Sequence, residues 1–160
     1  MTSDNFQERE KWDEYYGSIT QDSEDETLHR FNQEFAQKVI DLLPEGGNVL
    51  EMGCGAGSQS LELARSGRFQ VTLLDFSEKA LDHARKLFER ESLTASFVLA
   101  DAFQPGEGQY DLVFNAGVIE HYSEEQQVAL LRSMAMRSRE RRRNPTTRFS
   151  PGPTNPVSRR

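Results

Sequence analysis

The run Val49-Leu50-Glu51-Met52 empties into Gly53-Cys54-Gly55-Ala56-Gly57-Ser58, and no other stretch of the chain restricts the possible folds so strongly. Three glycines on alternate positions give up side-chain packing and raise the entropy lost on folding. A loop that keeps them needs positive φ angles, or backbone open to a closely approaching ligand. An apolar strand that ends in such a loop, with Ser58 ready to cap a helix through Leu61, Leu63 and Ala64, reads as the start of a βα unit built around a binding loop.

The rest of the chain can be ordered around that unit. Phe6 to Tyr16 mixes aromatic and charged residues and stops at Gly17, which predicts a short amphipathic helix; 18–26 is polar and acidic and predicts a loop. From Thr27, apolar residues at Leu28, Phe31, Phe35, Val39 and Leu42 predict a helix with these as its buried face, ending before Pro44. Strands are predicted at 48–52, 69–74, 95–100 and 111–115. Ser77 should cap a helix that buries Ala80, Leu81, Ala84, Leu87 and Phe88. Ser123-Glu124-Glu125-Gln126 has the form of a capping box, with Val128, Leu131 and Ala135 as the buried stripe of the helix it opens. Alternating strands and helices with short connections predict an α/β fold, a doubly wound parallel sheet with helices on both faces. Its ligands belong beyond the carboxyl ends of the strands.

Composition excludes several alternatives. One cysteine among 160 residues permits neither an internal disulfide nor a cysteine-built zinc site. No apolar run approaches the roughly 20 residues of a membrane helix. The polar amino terminus has neither signal-peptide nor transit-peptide character, which predicts a cytoplasmic protein without a membrane partner. From Met134 onward eight Arg face one Glu, while the whole chain carries −7, so the body is strongly acidic. An acidic body argues against specific nucleic-acid binding. The expected organisation is an amino-terminal lid helix and loop over 1–26, a ligand-binding domain over 27–136 and a disordered basic tail over 137–160.

The ordered set of Glu51 with Gly53, Gly55 and Gly57, then Asp75, then Asp101-Ala102, then Asn115-Ala116-Gly117 resembles the class I S-adenosylmethionine-dependent methyltransferases, a Rossmann-like family. The resemblance spans roughly Trp12 to Met134. It implies S-adenosylmethionine as cofactor, no metal, and a cofactor site formed by Tyr16, Glu51, Gly53, Cys54, Gly55, Gly57, Asp75, Phe76, Asp101, Ala102 and Asn115. In this reading Asp75 accepts from the ribose hydroxyls, Asp101 accepts from the adenine amino group, and Glu51 holds the ligand's ammonium or fixes the loop. The Asp residues at strand ends have a plainer reading as turn formers or caps. Trp12, Tyr15 and Tyr16 either close over the cofactor or simply pack. His121, with Glu120 beside it, is the candidate base, or a loop residue that only packs. A dinucleotide fingerprint is the rival, but its third glycine would fall at Ser58 or Ser60.

After Met136 the helical pattern gives way to Arg-, Pro- and Ser-rich sequence, and no strand can be read beyond Asn115. A family member ordinarily continues into further strands, so the expectation is a truncated methyltransferase whose fourth strand is an edge open to self-association. Two functions stay open: methyl transfer to a small molecule, weak or lost in this form, and a non-catalytic module that binds the cofactor or a partner chain.

Overall fold

In the computed structural model, which describes residues 3–18, 26–104, 106 and 108–139, the strand ahead of the glycines lies at the centre of the sheet. This strand, β1 (Gly47–Met52), pairs in parallel with β2 (Phe69–Asp75) on one side and β4 (Leu112–Phe114) on the other, with Val49 opposite both Val71 and Leu112. β3 (Ser96–Leu99) joins the outer side of β2, giving the order β3-β2-β1-β4. The fold is thus the expected Rossmann-like α/β architecture.

Alternation along β1 sends its side chains into two cores. Val49 joins Val71, Leu73, Leu61, Leu63, Leu81 and Phe88 on one face, where α3 (Ser58–Arg65) and α4 (Glu78–Arg90) pack. Leu50 and Met52 join Leu74 on the other, under Leu130 of α5 (Glu124–Arg137). A strand covered on both faces is continuously apolar for this reason. Each fully buried Leu contributes about 1.5–3 kcal/mol. Local signals set the helix ends: the Ser77 hydroxyl accepts from the Ala80 N–H at 3.1 Å, and Ser123 with Gln126 forms the expected capping box. All five residues predicted for the apolar face of α4 are buried.

Two buried faces differ from their sequence expectation. On α2 (Glu26–Leu42), Phe31 and Leu42 are exposed, and the helix buries Asn32, Ala36 and Val39, while Phe35 is partly buried against Phe114 at 4.9 Å. The two stripes lie one residue apart on the helix, and Ala36 and Val39 of the buried one join the core beside Leu61 and Leu63 of α3. On α5 the expected Val128 and Leu131 are 47% and 51% exposed and Ala135 is also exposed. Leu130, Ser133 and Arg137 are buried instead, which is tolerable because the polar pair makes hydrogen bonds.

α5 also runs to Arg137, past the boundary expected at Met136. Beyond it Ser138 forms a parallel bridge with Tyr110: the Tyr110 N–H donates to the Arg137 carbonyl at 2.9 Å and the Arg139 N–H donates to the Tyr110 carbonyl at 2.8 Å. Residues 137–139, expected in the tail, therefore sit against the start of β4; the remaining tail, 140–160, lies outside the described residues, as do 19–25 of the acidic loop. Among the described residues β4 itself lies at the edge of the sheet, as expected, paired with β1. No helix among the described residues is long and apolar enough to cross a membrane.

Candidate functional site

The loop after β1 is tied to the end of β2 before it turns into α3. The N–H groups of Gly53 and Cys54 both donate to the Leu74 carbonyl, at 2.7 and 3.1 Å. Gly53, Gly55 and Gly57 all take positive φ, at 72°, 52° and 79°. All three are also held by close approach, a Cβ on Gly53 lying 2.6 Å from the Val118 side chain. A Cβ on Gly57 would lie 2.5 Å from the Leu73 side chain, so this glycine serves the packing of α3 on the sheet rather than a ligand. A Cβ on Gly55 would collide with the Tyr16 hydroxyl, which places the aromatic face of α1 (Ser3–Ser18) directly over the loop.

A cavity of about 280 Å³ opens beyond the carboxyl ends of β1, β2 and β4, near the lower bound for small-ligand sites. Its floor is Gly53 to Ala56, one wall is Asp75 and Phe76, and the opposite wall is Ala116 to Val118 with His121 and Tyr122. Trp12, Tyr15 and Tyr16 of α1 form its roof. Trp12 stacks on Tyr16 at 6.1 Å and meets His121 edge-on at 5.6 Å. α1 is anchored to α4: Asp13 accepts from the Ser77 hydroxyl, and the Tyr16 carbonyl accepts from His83 Nε2 at 2.7 Å. Of the residues singled out from sequence, Tyr16, Gly53, Cys54, Gly55, Asp75, Phe76 and His121 line this cavity. Glu51, Gly57, Asp101, Ala102 and Asn115 do not.

Asp75 Oδ2 accepts from the Gly55 N–H and Oδ1 from the Ser77 N–H, both at 2.9 Å. One carboxylate thus joins the glycine loop to the start of α4. Burial pushes its pKa up against the opposing pull of these N–H groups. Glu51 is 1% exposed; Oε2 accepts from the Ser60 hydroxyl at 2.5 Å, and Oε1 has no partner. Desolvation pushes this carboxyl up to about 8 despite the Ser60 bond. Burial likewise raises the Cys54 thiol and, together with Asp75, the Tyr16 hydroxyl, so neither ionises near neutrality. Asp101 caps its own turn, with Oδ1 accepting from the Phe103 N–H at 2.8 Å. Asn115 Nδ2 donates to the Met134 sulfur at 3.2 Å.

The donor set fits a ligand with a cationic amino-acid end. A buried unpaired carboxyl oxygen of Glu51 lies behind the glycine floor, an acid stands in the wall, and among the described residues no Lys or Arg lines the cavity. A profile for a methyltransferase domain matches residues 49–140, more than half of the chain. The chain belongs to the class I S-adenosylmethionine-dependent methyltransferases. Members of this family use S-adenosylmethionine.

Among relatives of this methyltransferase domain, a ubiquinone biosynthesis O-methyltransferase of Caulobacter vibrioides is 34% identical over 103 residues, covering 62% of this chain and 39% of that protein. A ribosomal RNA small subunit methyltransferase C of Haemophilus influenzae is 36% identical over 70 residues, covering 43% of this chain and 21% of that protein. The chain therefore spans well under two thirds of the curated relatives it matches. Among solved structures, the magnesium protoporphyrin IX methyltransferase of Synechocystis PCC 6803 with bound SAM superposes with a TM-score of 0.69 at 25% identity, over 86% of this chain and 73% of that one.

Ala116 and Gly117 of the methyltransferase cavity belong to the segment matched from sequence, whereas Val118 and Tyr122, which follow it directly, were given no role there. The only available signal was their position after the fourth strand. Among the described residues, no cluster of His, Cys, Asp or Glu could hold a metal ion.

Proposed function

We propose that this chain binds S-adenosylmethionine in the cleft between the glycine loop and α1 and directs its methyl group to a flat, uncharged small molecule. The observation that carries the acceptor class is the wall opposite the glycine loop. It is formed by Trp12, Tyr15, His121 and Tyr122, and among the described residues no Lys or Arg stands along the cavity to meet a phosphate or carboxylate. Aromatic faces bind planar apolar rings, whereas RNA-modifying sites need cationic contacts to the backbone. The ubiquinone-pathway and porphyrin relatives support a small acceptor; the ribosomal RNA relatives point the other way.

When bound, the cofactor supplies an activated methyl group on a cationic sulfur. The protein's contribution is alignment. Gly53 and Gly55 bring backbone to the cofactor's amino-acid end, Glu51 fixes the glycine loop through Ser60, Asp75 stands in the wall to accept from the ribose, and α1 covers the cleft and excludes water. Orientation of this kind can be worth about 7–11 kcal/mol of the barrier. His121, at the cavity wall against Trp12, is placed to take a proton from an acceptor hydroxyl or ring nitrogen.

The test is transfer of isotopically labelled methyl groups from S-adenosylmethionine to a panel of phenols and neutral heterocycles, with ribosomal RNA as a parallel substrate. Label in the small-molecule fraction supports the reading. Label confined to RNA contradicts it.

A further inference from the structure

α1 reaches across the cleft from one bank to the other. On the α4 bank, Asp13 accepts from the Ser77 hydroxyl and the Tyr16 carbonyl accepts from His83 Nε2 at 2.7 Å. On the opposite bank, Trp12 meets the His121 ring at 5.6 Å with the two planes at 73°. Positions 12, 15 and 16 share one face of the helix, and their rings brace one another. Trp12 meets Tyr15 edge-on at 5.7 Å and stacks on Tyr16 at 6.1 Å. The indole is thus fixed within its own helix before it touches His121.

His121 ends a short 3₁₀ turn, Ile119–His121, and its side chain lines the cavity. The backbone of this turn is held from both ends. Val118 rests on the glycine loop, where a Cβ on Gly53 would lie 2.6 Å from its side chain, and its carbonyl accepts from the His121 N–H at 3.1 Å. Tyr122 meets Phe103 edge-on at 4.9 Å, and its carbonyl accepts from Gln127 Nε2 at 2.9 Å. The imidazole has no such anchor. It makes no hydrogen bond among the described residues, and Trp12 is the ring that meets it. A proton acceptor carried on a single turn works only if its ring is held to within about 10–20°, and a neighbouring ring supplies that restraint.

We propose that Trp12 is a positioning residue for His121: α1, seated on α4, carries the indole across the cleft and sets the imidazole toward the methyl acceptor. This rests on the reading of His121 as the group that takes the acceptor's proton. Methylation of a phenol forms a carbon–oxygen bond, breaks the cofactor's carbon–sulfur bond and releases the phenol proton, which passes to the His121 ring. The ring nitrogen of pyridine has no proton to release, so its methylation needs no base and no restraint on His121.

The experiment compares wild type, Trp12→Leu and Trp12→Phe. Proton NMR of the histidine rings, three in the chain and assigned through His121→Gln, reads the contact directly. In wild type the His121 signals should be displaced by the indole ring current. In Trp12→Leu they should move to the position of an exposed histidine, and in Trp12→Phe they should keep part of the displacement. Labelled methyl transfer to phenols should fall by about tenfold or more in Trp12→Leu, because an aligned base contributes on the order of 10²–10⁴. Trp12→Phe should recover most of that loss, and transfer to pyridine should be unchanged. Affinity for S-adenosylhomocysteine by calorimetry should stay within about threefold of wild type in both variants. His121 signals that do not move in Trp12→Leu, or a loss of transfer shared equally by phenols and pyridine, would overturn the positioning role and leave the cofactor reading intact. Full transfer to phenols by His121→Gln would overturn the base and the positioning role with it. A wild type that binds no S-adenosylhomocysteine would overturn the cofactor reading itself.

Discussion

Glu51→Gln should make the protein more stable at neutral and alkaline pH, although it removes the acid at the head of the glycine loop. The Glu51 carboxyl is fully buried, with one oxygen bonded to Ser60 and the other without a partner. Desolvation holds it protonated up to about pH 8, against an ordinary value of 4.5. The folded state therefore keeps a proton that the unfolded chain releases above about pH 4.5. Stability is unaffected below that value and falls as pH rises toward 8, where the loss levels off. At about 1.36 kcal/mol per pH unit, the full loss has a ceiling of about 5 kcal/mol. Gln has nearly the same shape, can accept from Ser60 and does not titrate. Urea denaturation of both proteins from pH 5 to 8 should show Glu51→Gln gaining on wild type by on the order of 3 kcal/mol across that range. The Asp75 carboxyl, also raised by burial, is common to both proteins and largely cancels. Parallel stability curves would refute the reasoning, because Glu51 would then be ionised in the fold.

The observed face of α5 can be checked by neighbours in sequence. Leu130→Ala should cost about 2–5 kcal/mol and Leu131→Ala under about 0.5, the reverse of the sequence expectation, as read by thermal or urea melts. Gly57→Ala places a methyl 2.5 Å from Leu73 at a φ of 79°, and should lower stability by about 1–3 kcal/mol with no effect on ligand selectivity in calorimetry. Asp13→Asn weakens the link from α1 to Ser77; cofactor dissociation in stopped flow should speed up by several-fold, with melting little changed.

Much of the fold could be read because its signals are local. Ser77 and Ser123 cap their helices through their own next turn, and the five apolar residues of α4 have no competing stripe. The glycine positions were legible for the same reason, but their separate duties were not. Gly57 turns on Leu73, sixteen residues away within the neighbouring strand, and Gly55 on Tyr16 of the first helix. The faces of α2 and α5 were misread because each helix buries a face that mixes apolar with polar residues, Asn32 on α2 and Ser133 and Arg137 on α5, and only the partner surface selects it. On α5 the selected stripe contains Ser133 and Arg137, polar residues that hydropathy assigns to solvent and that the loop carbonyls of Ala102 and Gln104 bring inside. The acids at 75 and 101 both stand at strand ends and were both assigned to the cofactor from sequence. In the fold one lines the cavity and the other closes its own turn.

The most direct test of the account is calorimetric titration of the full chain with S-adenosylmethionine, beside Asp75→Ala. The Asp75 carboxylate both faces the cleft and holds the Gly55 and Ser77 amides. The account predicts one-to-one binding by wild type and at least about a tenfold loss in the variant, since a charged acceptor is worth about 1.5–3 kcal/mol. Absence of binding by a folded wild type, or equal binding by both proteins, would contradict it.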